Sequence, residues 1–161
     1  MAKQLMIKLD KCTGCRNCEL ICSWNRGKTF NPEYSAISVI DYEEEFTSVP
    51  MMCLQCAEAP CITVCPEKSL SRDANGTVKN DIAKCSGCKL CIKACPTQSI
   101  SFDPVNKKVF KCELCNGFPV CVKHCPPACL VYTDEKAEGL GWEKALALTT
   151  KRLSGAKEAA K

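Results

Sequence analysis

Cysteine is the residue type whose spacing promises chemistry here. Of 17 cysteines in 161 residues, sixteen fall into four groups of four. The first is Cys12-x2-Cys15-x2-Cys18-x3-Cys22, and the third repeats it as Cys85-x2-Cys88-x2-Cys91-x3-Cys95, followed by Pro96. The second, Cys53-x2-Cys56-x4-Cys61-x3-Cys65-Pro66, and the fourth, Cys112-x2-Cys115-x5-Cys121-x3-Cys125-Pro126, each widen one gap without losing a cysteine. Cys129 is left over.

The run C-x2-C-x2-C-x3-C is an iron–sulfur ligand pattern. Three thiolates two residues apart on a curling loop reach three irons of one cubane, and the loop's N–H groups face the sulfurs. The fourth cysteine follows where the chain turns helical, so it serves a neighbouring cluster. Proline after it has no N–H to satisfy and fixes the exit of the chain. Every ligand position holds cysteine, so four complete 4Fe–4S clusters are expected, with no open iron for substrate. That suits electron transfer and assigns no catalytic residue.

Two other uses of cysteine fit less well. Structural zinc takes four ligands from two separated knuckles and needs neither the recurrent x3 gap nor the Cys-Pro ending. The first ten residues lack the apolar core of a signal peptide, so a reducing, cytoplasmic setting is expected, where disulfides rarely persist. An odd cysteine count also argues against a closed disulfide framework. The lone histidine, His124, leaves mixed Cys/His sites improbable.

The elements that must position these runs follow from an internal repeat. Cys65-Pro66 leads through Leu70 to the turn Asn75-Gly76 and then Thr77-Val78-Lys79; Cys95-Pro96 leads through Ile100 to a turn at 104–107 and then Lys108–Lys111. Each reads as a β-hairpin between two cysteine runs. Lys11, Lys84 and Lys111 each precede the opening cysteine of a run. Residues 4–9 and 129–133 are strand-like and can pair as terminal strands, which favours nesting the middle two runs inside the outer two. Residues 36–42 and 46–50 read as a further hairpin with Glu43–Glu45 at its tip, a solvated acidic loop.

The four runs, with Cys53-Leu-Gln-Cys56-Ala-Glu-Ala-Pro60-Cys61 and Phe118-Pro119-Val120-Cys121, resemble the four-cluster ferredoxin-type electron-transfer subunits of dimethyl-sulfoxide-reductase-type enzymes over residues 4–133. The resemblance implies an α+β fold of two bacterial-ferredoxin-like βαββαβ units, one nested inside the other. The outer unit takes 1–50 and 101–133, the inner 51–100, and a C-terminal helix lies in 134–161. It implies Cys12, Cys15, Cys18 and Cys125 for cluster one, and Cys112, Cys115, Cys121 and Cys22 for cluster two. Cluster three takes Cys85, Cys88, Cys91 and Cys65; cluster four takes Cys53, Cys56, Cys61 and Cys95. The short x5 gap and the small size resemble compact subunits serving tungsten aldehyde oxidoreductases, hydrogenases and carbon monoxide dehydrogenases. The first is favoured as catalytic partner, with a second redox subunit or soluble carrier at the other end. A free soluble polyferredoxin is the alternative.

The formal charge of +4 describes the chain without its cofactors. Four clusters at about −2 each, thiolates included, bring it to about −4, which removes the basis for nucleic-acid binding. No stretch approaches the roughly 20 apolar residues of a membrane span. In the tail, Trp142, Ala145, Leu146, Thr149 and Leu153 recur at helical spacing, and this helix is expected either to pack on its own domain or to contribute to assembly with another subunit. Cys129 reads as a buried thiol packing as a small hydrophobe.

Overall fold

The computed structural model describes residues 3–134 and 147–148. Among them the chain is a small mixed α/β fold of short helices and two-stranded sheets. Strand β1 (Gln4–Ile7) pairs antiparallel with β8 (Leu130–Thr133), with Ile7 opposite Leu130. Lys8 N–H donates to the Cys129 carbonyl at 2.7 Å and extends that ladder to the edge of the first run. Both side chains of the Ile7–Leu130 pair are buried, so joining the chain ends is driven by an apolar face.

The other pairings are hairpins: β2 (Ile37–Tyr42) with β3 (Thr47–Met52), β4 (Leu70–Arg72) with β5 (Val78–Asn80), and β6 (Ile100–Asp103) with β7 (Lys108–Lys111). Asp73 and Asp103 close the last two turns. The carboxylate of Asp73 accepts from the N–H groups of Asn75 and Thr77, and that of Asp103 from Val105 and Asn106.

Proline decides helix length. In three runs the last cysteine precedes proline, which disfavours helical backbone at that cysteine. Helices α2 (Pro60–Thr63), α3 (Leu90–Ala94) and α4 (Val120–Lys123) accordingly stop after about one turn, and Cys95 is extended at φ −73°, ψ 118°. In the first run Cys22 is followed by serine, and α1 continues over Asn17–Gly27. After each Cys-Pro the chain repeats one turn. Lys68, Gln98 and Ala128 adopt positive φ, and their N–H groups donate back to the carbonyls of Cys65, Cys95 and Cys125. Two residues later Leu70, Ile100 and Leu130 enter the interior.

The buried apolar residues form two clusters. One gathers Ile7, Leu9, Cys18, Cys22, the β2–β3 hairpin, Cys121, Cys129, Leu130 and Leu148. The other gathers Ala59, Cys61, Leu70, Val78, Cys85, Cys91, Ile100 and Val109. Apart from Ala147 and Leu148, which are helical and of which Leu148 is buried, the expected tail helix falls outside the described residues.

Candidate metal centre

Each run wraps its cysteines by left-handed backbone. Gly14 and Arg16 in the first run, at φ 65° and 57°, are matched by Gly87 and Lys89 in the third, at 75° and 64°. Glycine is required at Gly87, because a Cβ there would lie 2.2 Å from the Lys107 carbonyl oxygen at the tip of β6–β7. In the fourth run Leu114, Cys115, Asn116 and Gly117 all have positive φ, which coils the longer x5 segment back under the sulfurs.

The loops bring cysteines from different runs together. Cys18 is electrostatically coupled to Cys12 of its own run and to Cys125 of the fourth. Cys121 is coupled to Cys112 and Cys115 and to Cys22 of the first run. Cys56 and Cys61 are both coupled to Cys53 and to Cys95 of the third run. Cys91 is coupled to Cys85 and Cys88. Two couplings reach further: Cys121 to Cys18, and Cys112 to Cys53. Cys15 and Cys88 are the two exposed cysteines; the rest are buried or half-buried.

This crowding has an electrostatic cost. Burial first, and then neighbouring groups including Glu19, push the Cys18 thiol up to about 12. Burial, aided by Cys53 and Cys22, pushes Cys112 up to about 12, and burial raises Cys91 to about 11. Cys121 is shifted upward for the same reason. Thiolates packed this closely repel one another in a medium of low dielectric, and sharing their charge with bound iron removes the penalty. Among the described residues no three Cys, His, Asp or Glu side chains converge tightly enough for a single ion.

The donor set suits sulfur ligands of an iron cluster. Cys22 Sγ accepts from Ala36 N–H at 3.4 Å and Cys115 Sγ from the Asn25 side chain at 3.7 Å. At Cys65 burial works upward, but the Ser69 hydroxyl and the N–H groups of Ser69, Leu70 and Glu67 outweigh it and lower the thiol. Such bonds offset negative charge on ligating sulfur. Cations hold the loop backbones from behind. Arg72 donates to the Cys56 and Ala57 carbonyls at 2.6 and 2.9 Å, Lys108 to the Cys85 carbonyl, and Lys111 to those of Val78 and Cys112.

The β2–β3 hairpin covers the first run. Arg16 pairs with Asp41 at 2.6 Å, and Asp41 accepts from the Ser48 hydroxyl at 2.6 Å. An exposed pair of this kind contributes about 0–1 kcal/mol. The stronger fixing point is Glu19, which is 4% exposed and whose carboxylate accepts Val39 N–H at 2.5 Å.

These features identify the group that the site is built to hold. A family model described as a 4Fe-4S dicluster domain matches residues 44–135. The chain belongs to this dicluster family. The match contains the second, third and fourth runs, while the first lies outside it. Over 85 residues the dicluster protein is 39% identical to the polyferredoxin-like subunit of an aliphatic sulfonate oxidoreductase from Pyrococcus furiosus, covering 52% of this chain and 49% of that one. Over 89 residues it is 33% identical to the arsenate respiratory reductase iron-sulfur subunit ArrB of Shewanella sp., covering 53% and 38% respectively. It thus spans half or less of the length of these relatives. A chain of the active site complex BamBC of benzoyl coenzyme A reductase, solved with benzoyl-CoA, superposes with a TM-score of 0.50 at 25% identity, covering 98% of this chain and 96% of that one. The dicluster protein is a ferredoxin-type 4Fe–4S protein.

Sequence reasoning missed several residues of the centre. Lys111 was visible only as one of three lysines preceding a run, yet Lys11 and Lys84 are exposed while Lys111 is 1% exposed. Glu19, Arg72 and Lys108 carried no signal beyond charge. His124 is exposed, with Nδ1 2.9 Å from the Val120 carbonyl. Cys129 is buried beside Cys12, Cys18 and Cys125.

Proposed function

We propose that the chain is a non-catalytic electron-conducting subunit holding four 4Fe–4S clusters, ligated as the resemblance implies. Cluster one takes Cys12, Cys15, Cys18 and Cys125, and cluster two Cys112, Cys115, Cys121 and Cys22. Cluster three takes Cys85, Cys88, Cys91 and Cys65, and cluster four Cys53, Cys56, Cys61 and Cys95. When bound, each cluster supplies reversible one-electron uptake at nearly constant geometry. The protein's own residues fix spacing, exclude water and donate N–H···S bonds.

The observation that carries the reading is the order of the couplings together with the exposure of two cysteines. Cys18–Cys121 joins ligands of clusters one and two, and Cys112–Cys53 joins ligands of clusters two and four, while Cys95 with Cys56 and Cys61 brings the third run to the second inside cluster four itself. The first two contacts support a wire in the order one, two, four, and the third run, which the proposed ligation shares between clusters four and three, supports three as the far end. Cys15 and Cys88, the exposed cysteines, belong to its two ends. A conductor that accepts electrons at one surface and delivers them at another needs that arrangement.

The two apolar clusters support a nested organisation, proposed as 1–50 and 101–133 for the outer ferredoxin unit, 51–100 for the inner unit and 134–161 for a tail, with Met51 and Met52 packing in the outer cluster and Val109 in the inner one. The partners proposed are a catalytic oxidoreductase subunit at one end and a second redox subunit or soluble carrier at the other. Relatives named as subunits of an oxidoreductase and of a reductase support the first. The short x5 gap of the fourth run, which resembles that of such subunits, favours a tungsten aldehyde oxidoreductase as that subunit. No helix among the described residues is long and apolar enough to cross a membrane.

Purification under strict anoxia, followed by metal analysis of the co-purifying complex, tests this. Tungsten or molybdenum in a tightly bound large subunit supports the proposed partner. Nickel redirects it to a hydrogenase or carbon monoxide dehydrogenase, and a chain that purifies alone supports a diffusing polyferredoxin.

A further inference from the structure

Among the described residues Lys111 is the largest of the side chains that are completely buried, at 1% exposure. Its ammonium is held by the backbone carbonyls of Cys112, at 2.8 Å, and Val78. Those carbonyls belong to different units: Cys112 opens the fourth run, and Val78 lies on β5 next to the second. The surrounding contacts fix this junction. Gln55 donates to the Cys112 carbonyl at 2.9 Å and accepts from Val78 N–H at 2.8 Å, while Asn80 donates from its backbone to Glu113 at 2.8 Å and from its side chain to the Val109 carbonyl at 2.8 Å.

A full charge buried on neutral carbonyls is costly unless opposite charge lies near. Besides the Glu113 carboxylate at the same junction, opposite charge is available on sulfur: Lys111 acts electrostatically on Cys112 of one run and on Cys61 of another. On the proposed ligation, these cysteines belong to the two central clusters of the wire, two and four. A fixed cation stabilises the form of a cluster that carries one more electron, and so raises its reduction potential.

We propose that Lys111 is a positioning residue that sets the potentials of the two central clusters together and ties the two units at the point where electrons cross between them. Its ammonium, fixed by the two carbonyls, acts on the energy of the added electron and takes no part in transferring it. Of the cysteines on which its charge acts, Cys112 belongs to cluster two and Cys61 to cluster four, so its effect is on the two central clusters.

The inference rests on the four-cluster reading, and the test separates the two. Lys111→Gln keeps a hydrogen-bond donor without charge, and Lys111→Arg keeps the charge. Each anaerobically purified protein is assayed for iron and titrated with dithionite under electron paramagnetic resonance. In Lys111→Gln two of the four clusters should shift to more negative potential, with the reduced-to-oxidised ratio at a fixed potential falling about tenfold, the scale of a unit charge acting over several ångström inside a protein. Iron should be unchanged, and Lys111→Arg should return the potentials towards wild type. Unchanged potentials at full iron content overturn the role of Lys111 and leave the four-cluster reading standing. Loss of iron from both Lys111→Gln and Lys111→Met makes the residue a structural tie only and also overturns it. Two clusters in the wild type defeat the underlying reading itself.

Discussion

Replacing glycine by alanine at three loop positions separates two sources of cluster-loop stability. Gly87, Gly14 and Gly117 all sit at positive φ, at 75°, 65° and 93°. Each alanine therefore costs about 1–2 kcal/mol in backbone strain. What differs is the space around the new methyl group. At Gly87 it would lie 2.2 Å from the Lys107 carbonyl oxygen, so main chain must move. Overpacking of that kind adds about 1–3 kcal/mol, for a total near 4. At Gly14 the obstacle is the Ser48 hydroxyl at 2.7 Å, which can rotate away at the loss of its bond to Asp41, adding about 1 kcal/mol. At Gly117 nothing lies within 4 Å, and strain alone remains. The assay is the denaturant midpoint at which the visible cluster absorbance is lost under anoxia, with iron per chain as isolated. Gly87→Ala should lose iron or show the largest fall, Gly14→Ala an intermediate one and Gly117→Ala the smallest. Equal falls for all three would show that the φ requirement dominates and that the close approach of the third run to β6–β7 does not matter.

Further outcomes follow from the site. Cys129→Ala should keep full iron content and lose about 1 kcal/mol through a small cavity, while Cys129→Ser, which buries a hydroxyl, should cost more; loss of iron in the alanine variant would make Cys129 a ligand. Glu19→Gln, which preserves an acceptor for Val39, should raise the potential of the cluster at Cys18 without loss of iron, read by the same redox titration; an unchanged potential would show that the carboxylate is screened. Hydrogen bonding from Ser48, then Arg16, holds the Asp41 carboxyl below the usual carboxylate range. Its contribution to docking the β2–β3 hairpin is therefore complete above the unfolded value and disappears as pH falls through the folded one. Hydrogen exchange should show protection at Gly14–Arg16 persisting through mildly acidic pH and dropping below that range, and Asp41→Asn should abolish the step.

The architecture was readable wherever local chemistry decides it. Asn75-Gly76 announced one hairpin, the strand-like residues 4–9 and 129–133 announced the β1–β8 pairing, and proline after three of the four runs accounts for one long helix and three single turns. The residues that tune the centre were not readable. Whether a lysine before a cysteine run lies in water, as Lys84 does, or in the interior, as Lys111 does, depends on what β5 brings against it from another part of the chain. Glu19 is the same case, since its partner Val39 comes from the hairpin insert twenty residues on. The acidic stretch Glu43–Glu45 lies at that hairpin's tip as the pattern suggests, but the docking of the hairpin on Gly14, Arg16 and Glu19 is a long-range contact that no local pattern carries.

The central claim is that all four cysteine runs hold clusters in one conductor. Iron and acid-labile sulfide per chain in anaerobically purified protein, with spin integration of the fully reduced form, test it most directly. Four clusters give about 16 irons and 16 sulfides. About 8 of each, the content of a two-cluster protein, would contradict the wire, and zinc in place of iron would contradict the chemistry itself.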